Sequence, residues 1–222
     1  MTLDEYREVK DFCYREYCDY LHQKYGKPAQ SYMLPSFEKS RGISRTSEGL
    51  VVHHVFEDTA ILLSTKEYAQ KFPFEWQCPD NLVYCDYLEH LLLHVLICES
   101  PKNYGVGIRG AVCYLIPELN DWFGGFPLKQ QWKVSCYQKI KGDVDCYIEI
   151  VNRLIRYSHE YPYFNRSAIE SSFDETYSKC PIWHKEYNKK VTEKFVWDDK
   201  KEFFPTGQPI YTTSYLKELF LW

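Results

Sequence analysis

The chain has 222 residues, 18% of them aromatic, with 27 basic and 31 acidic side chains and a formal charge of −4. That length fits one decorated domain or two small ones, and it can bury a core without covalent staples. No apolar run approaches the roughly 18 residues a membrane span needs, and the nine scattered cysteines, odd in number and behind no secretory signal, suit a reducing cytoplasm better than a disulfide framework.

Charge also bounds the partners. Residues 1–100 hold 10 Lys and Arg against 16 Asp and Glu, net −6, and the remainder holds 17 against 15, net +2. A broad nucleic-acid surface would be basic, so any phosphate-contacting surface here must be local.

Residues 3–24 read as one amphipathic helix, with Tyr6, Val9, Cys13, Tyr17, Tyr20 and Leu21 recurring at three- and four-residue steps. Thr2 and Glu5 have the spacing of a capping box, and Gly26 and Pro28 end the helix. His22 lies near its last turn and reads as structural. Gln30 to Glu48 is polar and loop-like. Its cations Lys39, Arg41 and Arg45 fit either a solvated connection or a set of phosphate contacts.

Leu50, Val51 and Val52 are strand residues, so His53 and His54 end a short strand and face opposite ways. A short helix around Thr65–Ala69 follows, then an aromatic cluster from Phe72 to Trp76 placed to cover the core. Pro79-Asp-Asn81 is a turn before a second strand, Leu82 to Tyr84. From Asp86 to Glu99 the leucine content predicts a helix, with His90 and His94 one turn apart on one face. Two such imidazoles can share one metal ion at roughly 2.0–2.1 Å, and a third ligand from a neighbouring strand would leave a fourth position open for water or a phosphate oxygen. Asp86 reads as the helix N-cap or as a carboxylate behind the metal ligands, and Glu89 as a solvated neighbour.

An apolar helix with two histidines is, by itself, more often a core helix than a metal site. The His53-His54 pair and Asn81 shift that balance. His-His, then Asn, then His-x3-His resembles the HNH endonuclease motif, the ββα-metal (His-Me) finger, in the version found in colicin-type DNases. The intervals from Asn81 to His90 and from His90 to His94 are nine and four residues, as in that version, whereas the interval from His54 to Asn81 is longer. The resemblance covers Gly49 to Glu99. It implies that His53, His90 and His94 ligate one divalent metal (Zn, Mg, Mn or Ni) and that His54 is the general base. It also implies that Asn81 pins the loop before the helix, orients His54 or touches the metal. The implied activity is single-metal hydrolysis of DNA phosphodiesters, in a phage, mobile-element or defence setting by analogy alone. A metal-stabilised module that binds nucleic acid or protein without turnover, or an RNA-cleaving toxin, is the alternative. A zinc protease is disfavoured, since neither H-E-x-x-H nor H-x-x-E-H occurs, and a cysteine-held finger lacks any C-x2-C pair.

Beyond Pro101, Gly105 to Gly110 lacks the spacing of a nucleotide cradle and reads as a loop or helix entry. Ala111–Leu119, two segments of 130–158 separated at Gly142, and Phe164–Ser178 read as helical. Pro181 to Trp197 interleaves Lys185, Lys189, Lys190 and Lys194 with Trp183, Tyr187 and Trp197, either a stacking surface or a solvated amphipathic helix. His159 and His184 show no partner at ligand spacing. The sequence therefore predicts an α+β chain in three parts: a helix and loop over 1–45, the finger over 46–100 and a mainly helical, aromatic-rich region over 101–222.

Overall fold

A computed structural model of the chain describes residues 1–100, 104–158 and 184–196. The predicted helix at 164–178, His159, Trp183 and Trp197 lie outside the described residues. The fold is α+β, mostly helical around a small two-stranded antiparallel sheet.

The expected N-terminal helix is two helices, α1 (Leu3–Val9) and α2 (Tyr14–Tyr25). Thr2 and Glu5 form the capping box of α1. A second box starts α2, where the Glu16 carboxylate accepts from the Cys13 backbone N–H at 2.8 Å. That local cap competes with helix continuation at Cys13, which is extended (φ −75°, ψ 167°), and apolar periodicity alone does not register it. The break has a consequence for the site, because it sets Tyr14 at the head of α2.

Strand β1 (Val51–His54) pairs with β2 (Leu82–Cys85) in the register Val51↔Cys85, Val52↔Tyr84, His53↔Val83 and His54↔Leu82. Side chains alternate across the pleat, so His54 shares a face with Val52, Leu82 and Tyr84, and His53 lies on the other. On the His54 side, Tyr32, Met33, Ile43, Ala69 and Leu82 form a core cluster to which Val52 adds. Between the strands run the four-residue helix α3 (Lys66–Ala69) and 3-10 turns at Val55–Asp58, Phe74–Gln77 and Pro79–Asn81. Trp76 stacks between Phe56 and Phe72, with ring centroids 4.4 and 4.8 Å away.

Helix α4 (Tyr87–Cys98) follows β2 directly, and all its residues except His90 are buried. Asp86 is its N-cap, accepting from the backbone N–H groups of Leu88 and Glu89 at 2.9 Å each, and its carboxylate also meets the Met1 amino group. Glu89 is not solvated. It completes the capping box at the Asp86 N–H, 2.7 Å away, and its buried carboxylate is paired with Lys24 at 2.8 Å, because α2 packs over this first turn.

The Gly105–Gly110 stretch belongs to a helix, α5 (Tyr104–Gly110), which runs into a π-helical turn at Ala111–Leu115 and then α6 (Ile116–Phe123). Helices α7 (Gln131–Ile140) and α8 (Val144–Ser158) flank Gly142 as the sequence predicts, and α9 is Lys185–Thr192. The chain divides into two units: Met1–Ala111 with Pro127–Tyr147, and Val112–Phe126 with the described residues from Ile148 onward. In the second unit the buried Asp121 carboxylate of α6 holds the start of α9. It accepts from the His184 N–H at 3.2 Å and the Asn188 amide at 2.6 Å, and it pairs with His184 Nδ1 at 3.0 Å. Helix α9 buries Asn188 and Val191 and exposes Lys185, Lys189 and Lys190, the pattern of an amphipathic surface helix.

Candidate metal centre

The hairpin and α4 bring His53, His90 and His94 together. Their ring centroids form a near-equilateral triangle, with separations of 5.1 Å (His53–His90), 5.4 Å (His53–His94) and 5.1 Å (His90–His94). A fourth group joins them. Glu57, in the 3-10 turn after β1, places Oε2 3.5 Å from His53 Nδ1 and 3.4 Å from His94 Nε2. One donor atom from each of the four lies within 4.8 Å of every other. Donors about 2.0–2.1 Å from a tetrahedral zinc would stand roughly 3.3 Å apart, so a small contraction would bring these four into coordination range.

Hydrogen bonds behind the imidazoles orient two of them, and for His94 the bond also decides which nitrogen carries the proton. The Gly107 carbonyl, 3.1 Å from His94 Nδ1, can only accept, so Nδ1 carries the hydrogen and Nε2 is a bare lone pair. The Tyr14 hydroxyl lies 2.8 Å from His53 Nε2 and donates to the Val55 carbonyl at 3.0 Å. With the His54 carbonyl at 3.4 Å as well, the hydroxyl has three acceptors for one proton, and its contact with Nε2 holds the His53 ring in place whichever of the two groups donates. The His94 Nε2 lone pair therefore faces the Glu57 carboxylate with no hydrogen between them. His53 Nδ1 and His90 Nε2 are buried and have no hydrogen-bond partner. Such a set of convergent acceptors is costly as it stands and is neutralised by a cation at its centre. The group can hold a metal ion. The supports given by Tyr14 and Gly107 are of the kind that orient metal-bound histidines.

Burial, opposed by the Glu57 charge and aided by the neighbouring imidazoles, holds His53 well below the usual histidine range, and burial lowers His94 in the same direction. His90 is pushed down to about 3 by burial and the adjacent His94. For Glu57 burial pushes the carboxyl up, but its interactions with the surrounding His53, His54 and His94 imidazoles outweigh it, and the group sits below the ordinary carboxylate range. Neutral imidazoles and an ionised carboxylate are the forms that bind metal. His53 and His94 are buried, while Glu57 and His90 are partly exposed and mark the open edge of the group.

The remaining residues singled out from sequence are dispersed around this group. His54 is 1% exposed, on the opposite face of β1, with Nε2 3.1 Å from Gln77 Oε1, Nδ1 3.6 Å from Glu57 Oε1 and its ring edge against Tyr32. Asn81 is half-buried, and its amide donates to the Glu75 carbonyl at 2.7 Å, tying the turn before β2. Asp86 caps α4. Arg45 is bound to Glu48 through Nε at 2.8 Å and Nη2 at 2.5 Å, donates to the Tyr25 carbonyl and covers the Tyr84 ring. Lys39 lies over the Tyr32 ring, and Arg41 is exposed in a 3-10 turn.

Glu57 is the residue that sequence reasoning missed. It stands four residues after His53, a spacing that means nothing along a strand, where positions i and i+4 are some 13 Å apart. Only the 3-10 turn at Val55–Asp58 folds it back. No family model matches the chain, and neither curated proteins nor solved structures give a match.

Proposed function

We propose that the chain is a metal-dependent endonuclease that hydrolyses DNA phosphodiesters with one divalent ion held by His53, His90, His94 and Glu57. The observation that supports this reading is the convergence of three imidazoles from an antiparallel hairpin and the helix that follows it, with the adjacent His54 on the opposite strand face. An ion bound there would supply positive charge at the scissile phosphate. His54 is the base that takes a proton from the attacking water, and its route to that water passes Glu57, whose Oε1 faces Nδ1. The partly exposed edge at Glu57 and His90 is the side for phosphate entry. Asn81 holds the loop that carries Glu75 and Gln77 toward the hairpin.

One observation favours a second reading, a structural metal in a module without turnover. Four protein donors fill the positions a tetrahedral ion needs, where a catalytic site keeps one open. Plasmid cleavage by purified protein with Mg²⁺, Mn²⁺, Ni²⁺ or Zn²⁺, alongside His54→Ala, separates the two. The nuclease reading expects metal-dependent cleavage that His54→Ala abolishes with metal content retained. One tightly held ion per chain and no cleavage with any metal would leave the structural reading.

A further inference from the structure

The long interval between the strands delivers a second group to the hairpin, Gln77, at the end of the Phe74–Gln77 turn. Gln77 is 1% exposed. Its Nε2 donates to the Leu63 carbonyl at 3.0 Å, and its Oε1 lies 3.1 Å from His54 Nε2. The order of these bonds is forced. A carbonyl only accepts, so the amide nitrogen must face Leu63 and the amide oxygen must face His54. An amide oxygen also only accepts, so His54 Nε2 must carry the hydrogen. In the neutral ring Nδ1 is then bare, and it is the nitrogen that faces Glu57 and the metal-binding group. The edge of the Tyr32 ring, with centroids 4.7 Å apart at 67°, restricts rotation of the imidazole.

We propose that Gln77 is a positioning residue that locks His54 as the Nε2–H tautomer, so that the Nδ1 lone pair stays turned toward Glu57. The catalytic meaning of this lock rests on the nuclease reading; the lock itself does not. Residues 57–77 are thus more than a cover for the hairpin. They supply both groups that bracket His54, Glu57 on Nδ1 and Gln77 on Nε2. A base whose proton sits on the wrong nitrogen cannot accept one from water where it is needed.

The test is ¹⁵N spectroscopy of the histidine rings in the full chain with zinc added, the His54 signals being assigned by their loss in His54→Gln. Wild type is expected to show Nε2 protonated and Nδ1 bare. Gln77→Met removes the acceptor and releases the lock, giving a mixture of tautomers, while Gln77→Glu keeps an acceptor oxygen and restores the Nε2–H form. A role confined to filling space would move both variants together or neither. In the cleavage assay Gln77→Met is expected to lose on the order of 10–100-fold in rate with metal content unchanged, the usual size of an orienting-partner effect. Protonated Nδ1 in wild type, or an unchanged tautomer in a folded Gln77→Met, overturns the proposal. The wild-type spectrum decides it even where the methionine variant fails to fold, and a wild type that cleaves nothing counts against the nuclease reading without touching the tautomer.

Discussion

The imidazole of His94 is held by the backbone of a neighbouring helix: its Nδ1 lies 3.1 Å from the carbonyl oxygen of Gly107. That approach exists because α5 has glycine where it crosses α4. A Cβ on Gly107 would stand 2.6 Å from the His94 carbonyl oxygen, and one on Gly110 would stand 2.1 Å from the His94 ring. Gly110→Ala must therefore push the ring off its position. The expected outcome is loss of bound metal, measured by elemental analysis, although no ligand has been changed. Full metal content in a folded Gly110→Ala would mean that His94 is not a ligand.

Tyr14 supports the opposite side of the group, 2.8 Å from His53 Nε2. Tyr14→Phe keeps the ring and removes only the hydroxyl, so His53 Nε2 loses its hydrogen-bond partner. Metal affinity should fall by about 10–100-fold, read by competition with a chelator, with the fold kept. An unaltered affinity would mean that Tyr14 does not orient His53 for the metal.

Acid should weaken the metal-free protein. The folded state holds His90 down to about 3, with His53 and His94 also lowered, whereas an unfolded histidine takes its proton near about 6.5. Between those values the unfolded chain binds more protons than the folded one, so stability rises with pH across the window and is lost as pH falls through it. The depressed Glu57 carboxyl acts in the same direction. The melting temperature of the metal-free protein is expected to drop from pH 7 to pH 5, and a flat profile there would contradict the burial of three neutral imidazoles.

The basic loop should divide on salt dependence. Lys39 and Arg41 lie on the loop without an acidic partner among the described residues, while Arg45 is committed to Glu48 and Tyr25. If the loop binds DNA phosphates, Lys39→Ala with Arg41→Ala reduces the salt slope of DNA binding by up to about 2, close to one for each phosphate that is no longer neutralised. Arg45→Ala acts on the fold instead, lowering the melting temperature with little change in slope. Equal slopes for wild type and the double variant would take this loop out of the interface.

Local rules written into the sequence were enough for much of this protein. Strand propensity and turn chemistry marked the hairpin, helical spacing put His90 and His94 on one face, and the Thr2 capping box and Gly142 marked helix boundaries. These are interactions among residues within a few positions of one another, so the order of residues contains them. The break between Val9 and Tyr14 was hidden because a side-chain cap at Cys13 overrode an unbroken apolar period. Glu89 was misjudged because its burial depends on Lys24, 65 residues away.

Only the tertiary structure decided the fourth member of the metal group and the partners that orient the histidines around it. Glu57 meets His94 across 37 positions, Tyr14 meets His53 across 39, and Gln77 meets His54 across 23. None of these distances has a period that a helix or strand could display. The three histidine donors were legible because their chemistry is carried by residue type; which lone pair His94 offers is fixed by the Gly107 carbonyl of another helix, and packing alone chose that neighbour.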